Sequence, residues 1–201
     1  MEKQKSSQNK KNKEFDYRKY KWFYTKSGKL VYGGKSADQN EEVIRELVKN
    51  KENYIMMHTR IPGSPFSVIK AQKEKVSEED LDEMAIWTAC FSRAWRSGLK
   101  KTSIDVFLTE QLVKEKGMKD GTFGVIGQID KRPVELKLVI AKQKEILRAI
   151  PESSVKGKKY SKIVPGKIPK EKFADKIMRM FKIKNKDEVL NALPTGGFKE
   201  I

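Results

Sequence analysis

Two hydrophobic periods alternate along the chain from residue 15 onward. Tyr20, Trp22 and Tyr24 occupy every second position, with Lys19, Lys21 and Phe23 between them, which is the period of a strand. Lys26-Ser27-Gly28 supplies a turn, and Leu30-Val31-Tyr32 returns as the second strand of a hairpin. After Gly33-Gly34 the period becomes helical. Ser36 with Gln39 reads as a capping box, and Val43, Ile44, Leu47 and Val48 form one apolar stripe. Residues 54–57 read as a buried strand ending at His58. A loop follows over 60–65, marked by Pro62, Gly63 and Pro65, and residues 66–70 return as a strand.

Ser77 with Asp80 opens the longest helix, expected over 78–97 and closed by Gly98. Leu81, Met84, Ala85, Thr88, Phe91, Ser92 and Trp95 form its stripe, with Trp87, Cys90 and Ala94 beside it. A stripe this wide implies burial on more than one side, against a sheet. Alternation predicts further strands over 104–108, 123–129 and 134–140. The total through Ile140 is about seven strands and two helices. The fold class is α+β: a mostly antiparallel mixed sheet packed against one long buried helix and a shorter one.

Residues 1–14 contain Lys, Gln, Ser and Asn and nothing apolar after Met1. Such a run cannot bury enough surface to offset its ordering entropy, so a disordered basic arm is expected there. The main domain is expected over 15–150. Residues 151–168, rich in Lys, Ser, Gly and Pro, read as a basic linker. Phe173, Ile177, Met180 and Phe181 predict a short helix over 169–181, and a second is expected over 187–193. Residues 169–201 are then either a small helical appendage or a segment that packs back on the main domain.

Charge changes the picture. The 201 residues carry 44 Lys+Arg against 27 Asp+Glu, a net charge of +17. So basic a chain favours polyanions, nucleic acid or an anionic membrane. No stretch approaches the ~18 apolar residues of a spanning helix, and no apolar segment follows the basic N-terminus as a secretory signal requires. Cys90 and His58 are the single cysteine and single histidine, which excludes a disulfide framework and a cysteine or histidine zinc site. The chain reads as cytoplasmic, without metal or small-molecule cofactor.

The quoted residues resemble a known family. Trp22-Phe23-Tyr24-Thr25, Gly28-Lys29-Leu30-Val31 and above all Gly33-Gly34-Lys35-Ser36-Ala37-Asp38-Gln39-Asn40-Glu41 are similar to the NFACT-R domain. His58 before a glycine loop, Val68-Ile69-Lys70, residues 89–95, residues 111–114 and Gly121-Thr122-Phe123 with Gly127 follow in the same order, so the resemblance covers about residues 17–135. It implies RNA binding, since NFACT-R is the RNA-binding part of large proteins that act on stalled large ribosomal subunits and recruit tRNA. Those proteins also carry a glycosylase-related domain, a helix-hairpin-helix segment and a coiled coil, which these residues lack. The expectation is therefore a stand-alone NFACT-R protein of archaeal type. Many relatives have an acidic residue two places after the histidine; here it is Arg60, which shifts the local charge towards phosphate binding.

Each candidate contact has a plain structural counterpart. Gly33, Gly34 and Lys35 lead into a helix N-terminus, which favours an anion or is simply a capped turn. Gln39 and Asn40 either read bases and ribose hydroxyls or fix a neighbouring loop. His58 is a satisfied structural histidine or a stacking and phosphate contact. Tyr20, Trp22 and Tyr24 are a stacking platform or core. Arg60, Lys70, Arg93, Arg96, Lys100, Lys101, Lys114 and Lys116 form the basic inventory for phosphate contact, although cations at a helix C-terminus also suit its dipole. The acidic run from Glu78 to Glu83 suits the dipole at the other end.

The reading is an RNA-binding protein rather than an enzyme, contacting tRNA or rRNA and with them the large ribosomal subunit, in translation or ribosome-associated quality control. One alternative is an RNA-modification enzyme or accessory subunit, for example in tRNA thiolation, with His58 in a pocket. Another is a DNA or membrane-surface binder working through basic tails.

Overall fold

The opening hairpin forms as the alternation predicts. Strand β1 (Lys21–Tyr24) pairs antiparallel with β2 (Leu30–Gly33), Trp22 opposite Tyr32 and Phe23 opposite Val31. The computed structural model describes residues 15–60, 63–157 and 160–201. The basic arm expected over 1–14 lies outside the described residues, as do Ile61 and Pro62 of the expected loop.

Helix α1 (Ala37–Lys49) follows, then β3 (Ile55–Thr59), β4 (Ser67–Ile69), α2 (Glu78–Cys90), α3 (Arg93–Arg96) and β5 (Lys101–Leu108). A two-stranded ribbon, β6 (Leu112–Val113) with β7 (Gly124–Val125), precedes β8 (Asp130–Glu135). The first sheet runs β1-β2-β4-β3-β5-β8 and is antiparallel throughout. Its side chains alternate between two apolar clusters, as the pleat requires. Trp22, Tyr32, Met56, Val68 and Phe107 meet Val43, Ile44 and Leu47 of α1 on one face. Phe23, Val31, Met57, Ile69 and Ile104 meet Met84, Ala85 and Trp87 of α2 on the other.

The long helix expected over 78–97 is broken. Helix α2 ends at Cys90, and Ser92 explains why: its Oγ donates to the Ala89 carbonyl at 2.6 Å and accepts from the Ala94 N–H at 3.1 Å. One hydroxyl thus closes α2 and caps α3, offering the backbone an alternative to helical continuation. The strand expected over 123–129 shrinks to Gly124–Val125. Gly127 has φ +80, and Gln111 Nε2 donates to the Ile126 and Gln128 carbonyls at 3.0 and 2.6 Å. The strand expected over 134–140 is two strands in different sheets: the Leu136 N–H still bonds the Lys100 carbonyl of the first sheet at 2.8 Å, and from Leu138 the chain pairs in the second.

The second sheet corrects the reading of the C-terminus. Strands β9 (Leu138–Gln143), β10 (Ile146–Ile150), β11 (Ser161–Ile168) and β12 (Phe198–Glu200) pair in the order β10-β9-β11-β12, all antiparallel. The segment expected as a linker over 151–168 therefore supplies a strand. Helices α4 (Lys170–Phe181) and α5 (Lys186–Ala192) form close to where expected. Phe173, Ile177, Val189 and Phe198 join the same apolar cluster as α2, so this region packs on the main domain. Phe173 stacks on Phe198 with centroids 4.8 Å apart, and Trp95 Nε1 donates to the Gly197 carbonyl at 3.0 Å. Helix α2 touches β3, β4, β5 and β8 of the first sheet and β9 of the second. Its burial on more than one side follows from that position, and burial pushes the Cys90 thiol pKa up.

Two polar devices tie the layers. Gln143 of β9 accepts from the Tyr24 N–H and donates to the Tyr24 carbonyl, both at 2.8 Å, so an amide side chain stands in for a neighbouring strand. Asp80, 2% exposed, completes the capping box with Ser77, accepts from Ser27 Oγ at 2.5 Å and pairs with Lys29 Nζ at 2.8 Å. Burial alone would raise its carboxyl pKa. The hydrogen bonds from Lys29, Ser27 and Thr25 outweigh that and hold it well below the usual carboxylate range. The acidic start of α2 thus anchors the β1–β2 turn as well as complementing the dipole.

Candidate nucleic-acid interface

Three segments surround an open cleft of about 600 Å3. The first is the turn from β2 into α1, contributing Gly34, Lys35, Ser36 and Asn40. The second is the end of β3 and the loop to β4, contributing His58, Arg60, Gly63 and Phe66. The third is the loop between β6 and β7, contributing Asp120, Gly121, Thr122 and Phe123. Lys21, Phe91, Arg93, Asp105 and Phe107 complete much of the wall. Its volume lies within the range of ligand clefts.

Local chemistry explains how these segments are held. Ser36 Oγ accepts from the Gln39 N–H at 3.3 Å, while Gln39 Oε1 reaches back to the Lys35 N–H at 2.9 Å. Asn40 Oδ1 accepts from the Phe66 N–H at 3.2 Å, and its Nδ2 faces the Ser64 carbonyl at 3.5 Å. Both amides are thereby engaged within the protein. Gly34 is required here: a Cβ would lie 2.4 Å from Asn40 Oδ1. Gly33, packed on Pro65, belongs to the frame and not to the cleft wall. Gly63, with φ +103, leaves room for the Arg93 side chain to cross it, since a Cβ would sit 2.5 Å from Arg93 Nε. Glu41 accepts from the Gly121 N–H at 2.9 Å and from Lys114 Nζ at 2.8 Å, which closes the third segment onto α1.

His58 stacks on Phe66 with centroids 4.2 Å apart and planes 19° from parallel. Burial drives its pKa down to about 4, against hydrogen bonding to the Thr59 and Ser64 backbones. The imidazole is therefore neutral at pH 7 and adds no cation to the cleft. Asp105 lies directly opposite it in the β3–β5 register.

The remaining sequence candidates divide by what they touch. Lys35, Arg60 and Arg93, together with Lys21, line the cleft, and none of the four forms an ion pair among the described residues. Lys114 pairs with Glu41 and also donates to the Lys119 and Thr122 carbonyls. Lys101 pairs with Glu135 at 3.0 Å, and Lys70 lies over the Phe15 ring. Arg96, Lys100 and Lys116 are exposed away from the cleft wall. Tyr20 and Trp22 are 2% and 1% exposed, so their rings are core.

Sequence reasoning missed Lys21, Phe91, Phe107 and Asp105. For Lys21 a signal existed, because it shares a strand face with Phe23, and that face is covered by α2. Phe123 stood in a quoted motif without a role; it is half-buried beside the cleft, with Lys114 Nζ 4.6 Å from its ring centroid.

Comparison with known proteins adds the decisive observation. The family described as NFACT protein RNA binding domain matches residues 19–127. The chain belongs to that family. The NFACT-R match includes all three segments around the cleft. Among curated proteins, the chain is similar to an archaeal Rqc2 homolog, aRqcH, of Methanocaldococcus jannaschii, 32% identical over 194 residues, which are 90% of this chain and 28% of that protein. It is also similar to the ribosome quality control complex subunit NEMF homolog of Drosophila melanogaster, 30% identical over 84 residues, or 41% of this chain and 8% of that protein. The chain thus spans about a quarter or less of the length of these relatives. The C-terminal structure of the fibronectin/fibrinogen-binding protein from Streptococcus suis aligns with a TM-score of 0.49 and 24% identity, covering 58% of this chain and 44% of that one. Among the described residues, no helix is long and apolar enough to cross a membrane.

Proposed function

We propose that this NFACT-R chain binds structured RNA through the cleft between α1, the β3–β4 loop and the β6–β7 loop, and that the RNA is tRNA or rRNA of a large ribosomal subunit undergoing quality control. The observation that carries this reading is the convergence of cations. Lys21, Lys35, Arg60 and Arg93 line one cleft within the family-matched segment, outnumbering the two carboxylates of its wall, Asp105 and Asp120, and none of the four is in an ion pair among the described residues. Half-buried Phe91 and Phe123 lie among them, at positions suited to stacking on a base. The names of the archaeal and fly relatives support the ribosomal setting, which would place the work of this chain in the cytoplasm.

Binding is favoured over RNA modification. His58, with its pKa near 4, is poorly matched to proton transfer at neutral pH, and its ring is engaged with Phe66.

The test is an anisotropy titration with tRNA and with large-subunit rRNA fragments across a range of salt. Phosphate contacts make log K fall linearly with log salt, by ~0.9 per phosphate on a duplex. Joint replacement of Lys35, Arg60 and Arg93 by Gln is expected to flatten that slope by about 2 to 3. Salt-insensitive binding, or an unchanged slope in the triple variant, overturns the reading.

A further inference from the structure

A second, smaller pocket of about 230 Å3 adjoins the cleft and shares Lys21, Lys35 and Phe91 with it. Its remaining wall comes from Arg18, Trp22 and Trp87 and from Arg148, Glu188 and Asn191. The last three lie beyond the segment matched by the family. The pocket is thus formed where the second sheet and α5 meet β1.

The chemistry of this pocket is lopsided. Arg18, Lys21, Lys35 and Arg148 line it, with Glu188 the one carboxylate in its wall. Among the described residues, none of these four cations forms an ion pair. The Arg148 guanidinium carbon lies 4.1 Å from the Trp22 ring centroid, with one amino group donating to the Leu147 carbonyl at 2.8 Å. Its buried Nε has no hydrogen-bond partner among the described residues, nor does the buried Trp22 Nε1. Lys21 Nζ reaches one protein acceptor, the Asn191 carbonyl at 3.2 Å, and lies 4.7 Å over the Phe91 ring. Four like charges around one small pocket, with Lys21 Nζ holding a single acceptor, are costly for a fold to maintain. A ligand with acceptor oxygens and more than one negative charge offsets that repulsion.

We propose that this pocket receives a phosphate monoester dianion, borne either by the end of an RNA chain or by a free mononucleotide. A monoester carries a charge of about −1.5 to −2 near pH 7 and three terminal acceptor oxygens, which matches a cluster with several donors and a net positive charge. An internal phosphodiester carries one negative charge and two ester continuations, and fits so small a pocket less well. The electrostatics of the empty pocket agree. Burial first, then repulsion from Lys170, Lys35 and Arg148, lowers the Lys21 pKa to about 7. Burial lowers that of Arg148 to about 10. A bound dianion reverses both penalties.

The inference does not rest on the RNA-binding reading, because it is tested with small probes on the full chain. Calorimetric titration compares a nucleoside 5′-monophosphate, its methyl phosphodiester and the bare nucleoside. Saturable binding of the monophosphate is expected, with the other two at least ~10-fold weaker, about the worth of one charge-assisted hydrogen bond. Arg148→Gln and, independently, Lys35→Gln at an exposed side chain are each expected to weaken the monophosphate by a similar factor. Lys162→Gln removes the same charge at a lysine of β11 paired with Glu152 and outside the pocket wall and is expected to change nothing. Equal affinity for the nucleoside or the diester overturns the proposal, as does an equal loss in Lys162→Gln. RNA oligomers with a 5′-phosphate or a 5′-hydroxyl then distinguish the source. Preference for the phosphorylated end assigns an RNA terminus, and monophosphate binding without that preference assigns a free nucleotide.

Discussion

Glu41 and Lys114, 73 positions apart in the chain, form an ion pair at 2.8 Å that holds the β6–β7 loop against the first turn of α1. The same carboxylate accepts from the Gly121 N–H, so one side chain fixes the loop that carries Phe123. Burial would raise the Glu41 pKa, but the Lys114 and Gly121 hydrogen bonds hold it below the ordinary value.

Replacing Glu41 by Ala is therefore expected to free the loop with little global cost. Partly exposed pairs contribute about 1 kcal/mol or less, so the urea midpoint should move slightly. Hydrogen exchange at the Gly121 and Thr122 amides should accelerate strongly. Unchanged exchange there would contradict the clamp.

Asp80 carries more of the fold. With 2% of its surface exposed and Lys29 alongside, Asp80→Ala leaves a partly buried ammonium without its counter-ion, the Ser27 hydroxyl remaining as its acceptor at 2.9 Å. The expected loss is about 3 kcal/mol, measured by urea denaturation. Asp82→Ala, whose carboxylate is 65% exposed and pairs with Arg132, should cost about 1 kcal/mol at most.

His58 links stability to pH. Its folded pKa of about 4 lies below the ordinary 6.5, so between these values the unfolded chain binds the extra proton. Stability consequently rises with pH across that window and is lost as pH falls from about 6.5 to 4, by on the order of 2–3 kcal/mol. His58→Phe keeps a ring against Phe66 and removes the titration. Denaturation midpoints at pH 6.5 and 4.5 should differ less in this variant than in the parent chain, and an identical difference would contradict the assignment.

Much of this was legible in the sequence, and the failures have physical causes. The Trp22–Tyr24 alternation, the Ser36 and Ser77 caps and the Val43–Leu47 stripe are local signals, and each produced its element. The break after Cys90 was hidden because Ala94 and Trp95 continue the apolar stripe, while the decision rests on the Ser92 hydroxyl. Residues 151–168 looked like a linker because Lys and Gly dominate them. Strand β11 is nevertheless paired between β9 and β12, through partners distant in sequence. The site divides in the same way. Lys35, His58, Arg60 and Arg93 sit near glycine signals and line the cleft. Arg148 has no neighbouring motif, and its place beside Trp22 depends on the second sheet.

Phe123 tests the stacking part of the interface. Phe123→Ala is expected to weaken binding of single-stranded RNA by about 1–3 kcal/mol and to leave the salt slope unchanged, because no phosphate contact is removed. Anisotropy with a loop-derived oligomer and a blunt duplex separates the two effects. An equal loss on both would contradict stacking.

Photo-crosslinking the full chain to tRNA and to large-subunit rRNA, followed by peptide mapping, tests the binding face most directly. Crosslinks are expected at Lys35, Arg60, Phe91, Arg93 and Phe123. Crosslinks confined to the exposed faces of α4 and α5, with none around His58, would contradict it.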